Sequence, residues 1–172
     1  MFFVRTASEQ DLDRVQQILR ETWHATYDDL YGKTKVEEIT DHWHSIKRLQ
    51  EMRHSPQSEF LVADNGTVIG GMAYATQKDK TINLHQLYVH PDFHGGKTGL
   101  HLLIEIENSF IDAEFIKLEV EEKNTKAIKF YEKFGFKKVG ETQDCGEDGS
   151  GIPAIIMQKE IIYADDDSEH SH

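Results

Sequence analysis

The chain has 172 residues, of which 38% are hydrophobic and 29% charged, and a formal net charge of −12. This length and mixture are typical of one folded domain rather than a disordered chain. The acidic charge argues against a nucleic-acid partner, whose phosphates require basic surfaces. No apolar run approaches the roughly 20 residues that span a bilayer, and the N-terminus does not resemble a signal peptide.

The chain contains one cysteine, Cys145, and therefore cannot form an internal disulfide. A reducing cytoplasm is the expected location. Cys145 lies among three acidic residues, and nearby negative charge raises a thiol pKa, so we expect an inert surface cysteine rather than a nucleophile. Residues 164–172 are acidic and lack apolar periodicity. They are expected to form a disordered tail, which leaves 1–163 as the folded domain.

The N-terminal third predicts a short strand over residues 2–6 and two helices. Ser8-x-x-Asp11 is a helix-start pattern. Apolar residues follow it at helical spacing, at Leu12, Val15, Ile18, Leu19 and Trp23. Residues 24–33 are expected to form a loop or frayed turn. A second helix is predicted from Thr34, with one apolar face formed by Val36, Ile39, Trp43, Ile46 and Leu49.

The rest of the chain predicts a hairpin followed by alternating helices and strands. Asn65-Gly66 is the strongest short hairpin signal and joins strands 59–64 and 67–76. The later segments are a strand over 81–91, a glycine turn over 94–99, a helix over 100–110, a strand over 115–122, a helix over 124–134, and strands over 135–142 and 152–161. The order β-α-α-β-β-β-α-β-α-β-β predicts one α/β domain with a mixed sheet, locally parallel in its second half.

The turn between the strand predicted over 81–91 and the helix that follows it is a candidate anion site. It consists of His94, Gly95, Gly96, Lys97, Thr98 and Gly99. Free backbone N–H groups and the helix dipole converge at such a turn. Its spacing matches neither a nucleotide P-loop nor a dinucleotide-binding fingerprint. Taken alone, a short glycine turn is more often just a tight connection.

Two segments resemble the GNAT superfamily of N-acetyltransferases. LYVHPDFHGGKTGLHLLIEIE is similar to its acyl-CoA-binding segment, in which a strand ending in V-x-P precedes [QR]-x-x-G-x-[GA] and a leucine-rich helix. LEVEEKNTKAIKFYEKFGFKKVGE resembles the C-terminal signature V-x-x-x-N-x-x-A-x-x-x-Y-x-x-x-G-F. Its six residues are all in register: Val120, Asn124, Ala127, Tyr131, Gly135 and Phe136. The resemblance covers about residues 58–160. It implies a GNAT-type domain with a β-α-β acyl-CoA-binding core flanked by helices.

The resemblance also implies an activity, direct transfer of an acetyl group from acetyl-CoA to an amine, and a site for the cofactor. The turn's amides would bind the pyrophosphate, and the strand Leu87, Tyr88 and Val89 would pair through its backbone with the pantetheine arm. Asn124 and Ala127 would lie on the cofactor side of their helix, where Asn124 also suits a helix N-cap and Ala127 is small enough for close approach. Tyr131 would protonate the departing thiolate. Without the resemblance, Tyr131 would be interpreted as a core aromatic residue, because several phenylalanines lie near it in the sequence.

Two residues depart from the family pattern. His94 replaces arginine or glutamine, and Lys97 replaces a glycine that permits close approach of phosphate. Gly96 is expected to take over that approach, with the Lys97 ammonium adding charge. The alternative is a degenerate turn, in a catalytically weak or inactive acyl-CoA-binding module.

The remaining expectations concern the acceptor and the base. His85 is a candidate general base because imidazole titrates near neutral pH, and equally a strand histidine facing solvent. Tyr88 is a weaker candidate for contact with the acceptor, which is otherwise expected to meet Trp23, Tyr27 and Tyr31. Polyamine, aminoglycoside, amino acid and protein amine remain open as acceptors, and a homodimer remains open as the oligomeric state. No metal is expected: His90 and His94 are separated by Pro91 and a turn, and His42 and His44 point to different sides of a helix.

Overall fold

The predicted alternation of strands and helices is present in the computed structural model, which describes residues 1–145 and 150–162. These residues form seven strands and five α-helices, namely β1 (Phe3–Thr6), α1 (Leu12–Tyr31), α2 (Lys33–Trp43), α3 (Ile46–His54), β2 (Ser58–Asp64), β3 (Ile69–Lys78), β4 (Thr81–Val89), α4 (Thr98–Asn108), β5 (Phe115–Glu121), α5 (Thr125–Lys133), β6 (Lys137–Thr142) and β7 (Ala154–Glu160). The strands belong to one mixed sheet in the order β1-β2-β3-β4-β5-β7-β6. The predicted α/β class is confirmed. The predicted tail, 164–172, lies outside the described residues.

The chain divides into two compact units, the first formed by Met1–Thr76 and Gln86–Ser109. Its core lies on the face of the sheet covered by α1 and α3, because helical spacing brings the apolar residues of α1 onto one side. The buried residues of this core include Leu12, Val15, Ile18, Leu19, Leu49, Phe60, Val62, Met72 and Tyr74. Gly71 leaves little room for a side chain, since a Cβ there would lie 3.0 Å from the Tyr88 carbonyl oxygen and 3.2 Å from Leu102.

The second unit is formed by Gln77–His85 and the described residues from Phe110 onward. Thr81 to Leu84 of β4 pair in parallel with Phe115 to Leu118 of β5, which confirms the predicted parallel pairing. Strand β7 pairs antiparallel with both β5 and β6 and therefore lies between them. The core of this unit includes Ile82, Leu84, Ile116, Leu118 and Met157.

The predicted hairpin at Asn65-Gly66 is confirmed. The Asn65 Oδ1 accepts the N–H groups of Thr67 at 2.9 Å and Val68 at 2.8 Å, and Gly66 has a φ of 92° that favours glycine. Strands β2 and β3 pair antiparallel on either side. A four-residue connection, Asn65 to Val68, with its own side-chain acceptor therefore joins these two strands.

Three predicted boundaries were wrong. Residues 24–31 belong to α1, because Tyr27 continues its buried stripe, and the helix ends at Gly32, whose φ is 87°. The predicted second helix is two helices, since His44 ends α2 and the Ser45 hydroxyl accepts the Arg48 N–H at 3.2 Å to begin α3. Helix α4 begins at Thr98, so the last two residues of the predicted turn form its first turn.

Candidate active site

The glycine turn leads directly into the N-terminus of α4, in the first unit. Lys97 precedes the helix, and its carbonyl accepts the His101 N–H at 2.9 Å. Gly95 has a φ of 91°, and a Cβ built at Gly95 or Gly96 would meet no heavy atom within 4 Å. The first N–H groups of a helix have no partner within it, so an anion can approach this backbone closely. Thr98 is buried and Gly99 is half-buried in that first turn. These features fit a pyrophosphate.

His94 closes this turn onto its own strand. Its Nε2 lies 2.6 Å from the Val89 carbonyl oxygen and donates the hydrogen bond, since a carbonyl only accepts. The imidazole therefore does not supply the two parallel donors that an arginine would offer to phosphate. Lys97, which is exposed, supplies the positive charge in the turn itself.

Strand β4 carries three more of the residues predicted to meet the cofactor. Leu87, Tyr88 and Val89 are all half-buried in the strand. The β4–β5 ladder ends at the pair Leu84 and Leu118, so His85 is the first residue of β4 beyond it. The three predicted cofactor positions therefore continue β4 past the end of this ladder.

His85, in the second unit, is suited to accept a proton. Its side chain is exposed to solvent, yet desolvation by the surrounding protein atoms lowers the pKa of its imidazole, partly offset by the negative charge of Glu119. A lowered pKa keeps the imidazole neutral near pH 7, which is the form a general base requires. Its exposure also fits the alternative interpretation, a strand histidine that faces solvent.

Helix α5 presents the second motif, also in the second unit. The Asn124 Oδ1 accepts the Ala127 N–H at 3.1 Å, which confirms Asn124 as the helix N-cap. The helix ends at Gly135, whose φ is 97°. Tyr131 is 8% exposed, and its ring lies 5.2 Å from that of Phe130. Asn124 therefore has a structural role as a helix cap, and Tyr131 has one in aromatic packing, in addition to any contact with a ligand.

The three aromatic residues predicted to meet the acceptor form one stripe along α1. The ring of Trp23 lies 4.6 Å from that of Tyr27, which lies 6.0 Å from that of Tyr31. Trp23 and Tyr27 are buried and Tyr31 is half-buried. The Trp23 Nε1–H donates to the Tyr88 hydroxyl at 3.2 Å, which joins the stripe to β4.

Sequence reasoning missed a hydrogen-bonded pair, Glu21 and His90. The His90 Nε2 lies 2.5 Å from the Glu21 Oε2, and its Nδ1 accepts the Asp92 N–H at 3.1 Å. Burial raises the pKa of Glu21, but the hydrogen bonds from His90 and Gln17 outweigh it, and the net effect is a lowered pKa. No spacing rule connects two residues 69 positions apart, so the sequence held no signal for the pair.

The sequence also gave no sign of a cleft between α1 and α2. The cleft has a volume of about 370 Å³ and is lined by Arg20, Glu21, His24, Glu37, Thr40 and Asp41. Arg20 Nη2 lies 3.1 Å from Asp41 Oδ1 and offsets that carboxylate. Glu21 and Glu37 add two further acidic groups, so the cleft is suited to a cation.

Two further features concern metal ligands and the single thiol. Within the described part of the chain, no group of three or more His, Cys, Asp or Glu residues is arranged to hold a metal ion. Burial, with added repulsion from Glu119 and Glu121, raises the pKa of the Cys145 thiol to about 12. The predicted inertness of Cys145 is therefore supported, although the residue is half-buried rather than on the surface. None of the described helices is long and apolar enough to cross a bilayer.

Comparison with known proteins agrees with these motifs. Residues 12–136 match the profile of the Acetyltransferase (GNAT) family. The chain is 30% identical over 163 residues to a spermidine N(1)-acetyltransferase of Thermoplasma acidophilum, covering 91% of this chain and 96% of the relative. The crystal structure of PaiA N-acetyltransferase from Thermoplasma acidophilum in complex with coenzyme A has a TM-score of 0.80 at 25% identity, covering 94% of this chain and 99% of that one. The ribosomal-protein-S18-alanine N-acetyltransferase of Escherichia coli shares the fold, with a TM-score of 0.69 at 20% identity over 95% and 96% of the two chains.

The chain belongs to the GNAT acetyltransferase family. It is an acetyl-CoA-dependent N-acetyltransferase, as the two motifs implied.

Proposed function

We propose that this enzyme acetylates a primary amine of a polyamine or a similar small polycation. The observation that carries the proposal is the acidic cleft between α1 and α2. Its Asp41 is paired with Arg20, and the carboxylates of Glu21 and Glu37 add negative charge beyond that pair. A polyamine bears several ammonium groups, and carboxylates in a cleft favour their binding. The name of the Thermoplasma relative, a spermidine N(1)-acetyltransferase, and the net charge of −12 point the same way.

The acetyl group passes directly to the amine in a ternary complex, without an acyl-enzyme. Acetyl-CoA supplies the activated thioester. His85 takes the proton that the attacking amine loses, because its pKa is lowered and its imidazole is neutral near pH 7. The Tyr131 hydroxyl donates a proton to the sulfur as the carbon–sulfur bond breaks. A backbone N–H of Leu87 to Val89 polarises the carbonyl.

The acceptor class is tested by comparing spermidine with a monoamine of similar amine basicity. Glu37→Gln removes one exposed cleft charge and should raise the KM for spermidine about two- to fivefold, the size of a partly screened charge pair. The monoamine should not respond. Glu38→Gln is the matched control, because Glu38 is the exposed neighbour and does not line the cleft. Equal effects of the two variants on spermidine would overturn the proposed acceptor site.

The second candidate is an acyl-CoA-binding module with weak or no catalysis. It is favoured by the turn itself, where Lys97 replaces the usual glycine and the His94 ring is bonded to Val89. Thiol release from acetyl-CoA in the presence of amines separates the two candidates. Under either, we propose a cytoplasmic protein, because a chain with one cysteine forms no internal disulfide and suits a reducing compartment.

A further inference from the structure

His90 is held on both ring nitrogens at the point where β4 leaves the sheet. The residue is 8% exposed. Its Nδ1 accepts the Asp92 N–H, so its Nε2 carries the hydrogen that is donated to Glu21 on α1. Its own backbone N–H donates to the Gly70 carbonyl at 2.8 Å. The ring therefore has one tautomer and one orientation.

Other contacts hold the residues that follow His90. The Phe93 N–H donates to the His90 carbonyl at 2.9 Å, and the Phe93 ring lies 5.0 Å from that of Phe2. A Cβ at Gly70 would lie 2.6 Å from Phe2 and 2.9 Å from Phe93, so the two rings pack directly on the backbone of β3. The segment between β4 and the turn is consequently fixed, whereas Gly95 and Gly96 have open space around them.

The hydrogen bond to Glu21 links α1 to His90, four residues before the glycine turn. Two adjacent glycines carry a large conformational entropy, and a phosphate-binding turn must give that up on binding. The His94 ring donates to the Val89 carbonyl at the end of β4, so this bond links the turn to the strand that precedes it. Glu21, on a long helix, provides a rigid point of attachment.

We propose that Glu21 and His90 are positioning residues, which hold the β4–α4 turn in the shape that binds the pyrophosphate of acetyl-CoA. The pair acts before any acceptor arrives. This inference rests on the family's use of acetyl-CoA. Glu21 also lines the proposed acceptor cleft, so the inference is tested by cofactor binding without an acceptor.

The test measures the Kd of acetyl-CoA by calorimetry without an acceptor. Glu21→Ala removes a charge-assisted hydrogen bond and should raise this Kd about tenfold. The Kd of acetyl-pantetheine, which lacks the pyrophosphate, should not change. A residue that only stabilised the fold would affect both ligands alike.

A second variant shows whether the two residues act together. His90→Asn keeps an acceptor oxygen close to the position of Nδ1, for the Asp92 N–H, and loses the bond to Glu21. Because both substitutions remove the same bond, the double variant should bind acetyl-CoA no more weakly than either single variant. Gln17→Ala is the control: Gln17 contacts the other oxygen of Glu21, at 3.3 Å, and its loss should leave the Kd unchanged.

Three results would overturn the proposal: wild-type affinity in folded Glu21→Ala, equal weakening of acetyl-pantetheine, or additive losses in the double variant. If Glu21→Ala melts below the assay temperature, Glu21→Gln replaces it. The amide keeps the shape and a neutral acceptor, so a smaller rise of about threefold is expected, judged by the same criteria.

Discussion

Replacing Tyr131 by phenylalanine separates packing from chemistry. The residue is 8% exposed, with Phe130 and Phe136 around its ring, and phenylalanine keeps all of that contact. The loss of one hydrogen bond should cost about 0.5–1.5 kcal/mol of stability, a fall of a few degrees in Tm at this length. Loss of a general acid is larger, about 10²–10⁴-fold in rate, or roughly 3–5 kcal/mol of barrier.

The assay follows thiol release from acetyl-CoA with saturating amine, alongside a thermal melt of the same protein. Tyr131→Phe should bind acetyl-CoA nearly as well as the wild type and lose kcat more than KM, because the hydroxyl is needed chiefly in the transition state. Tyr74→Phe is the matched control, since Tyr74 is also 8% exposed and packs against Phe60. Full turnover in folded Tyr131→Phe would refute the role of the hydroxyl and leave Tyr131 as a core residue.

Four further predictions concern the cofactor, the caps and the pH. Acetyl-CoA at a hundredfold excess over its Kd should stabilise the protein by about 2.7 kcal/mol, and no shift in Tm at millimolar acetyl-CoA would contradict the site. Lys97→Ala should weaken the binding of acetyl-CoA by about 1–3 kcal/mol and that of acetyl-pantetheine far less. Equal losses of binding for the two ligands would show that Lys97 acts on the fold. Asn124→Ala should cost about 1 kcal/mol of unfolding free energy in a denaturant titration, because the Ala127 N–H loses its acceptor, whereas an unchanged midpoint would refute the cap. Burial lowers the pKa of His44 from 6.5 to about 3, so below pH 6.5 the unfolded chain binds a proton that the folded protein does not. The free energy of unfolding should therefore fall by about 2 kcal/mol between neutral pH and pH 5. His44→Gln should lose less stability over that range.

The sequence predicted most of the fold from β2 onward, because its signals there are local. Asn65-Gly66 carries its own turn geometry, and Asn124 and Gly135 mark the two ends of α5 by their own hydrogen bond and φ. The position of β7 between β5 and β6 had no such signal. Strand order depends on pairing between distant segments, which a linear pattern does not record.

The same reasoning failed where burial overrides local preference. Residues 24–31 contain polar and aromatic residues that are compatible with a loop, but Tyr27 is 5% exposed and extends the buried stripe of α1. For the site, the resemblance of two segments to the GNAT motifs pointed to the turn and to α5. Glu21 was not found, because its contact with His90 arises only when α1 packs beside the end of β4.

The most direct test of the account is steady thiol release from acetyl-CoA on addition of spermidine, with the product identified by mass spectrometry. We expect many turnovers, one thiol for each acetyl group found on spermidine, and a rate well above that without an amine. Binding of acetyl-CoA with no thiol release from any amine tested would contradict catalysis and favour the acyl-CoA-binding module.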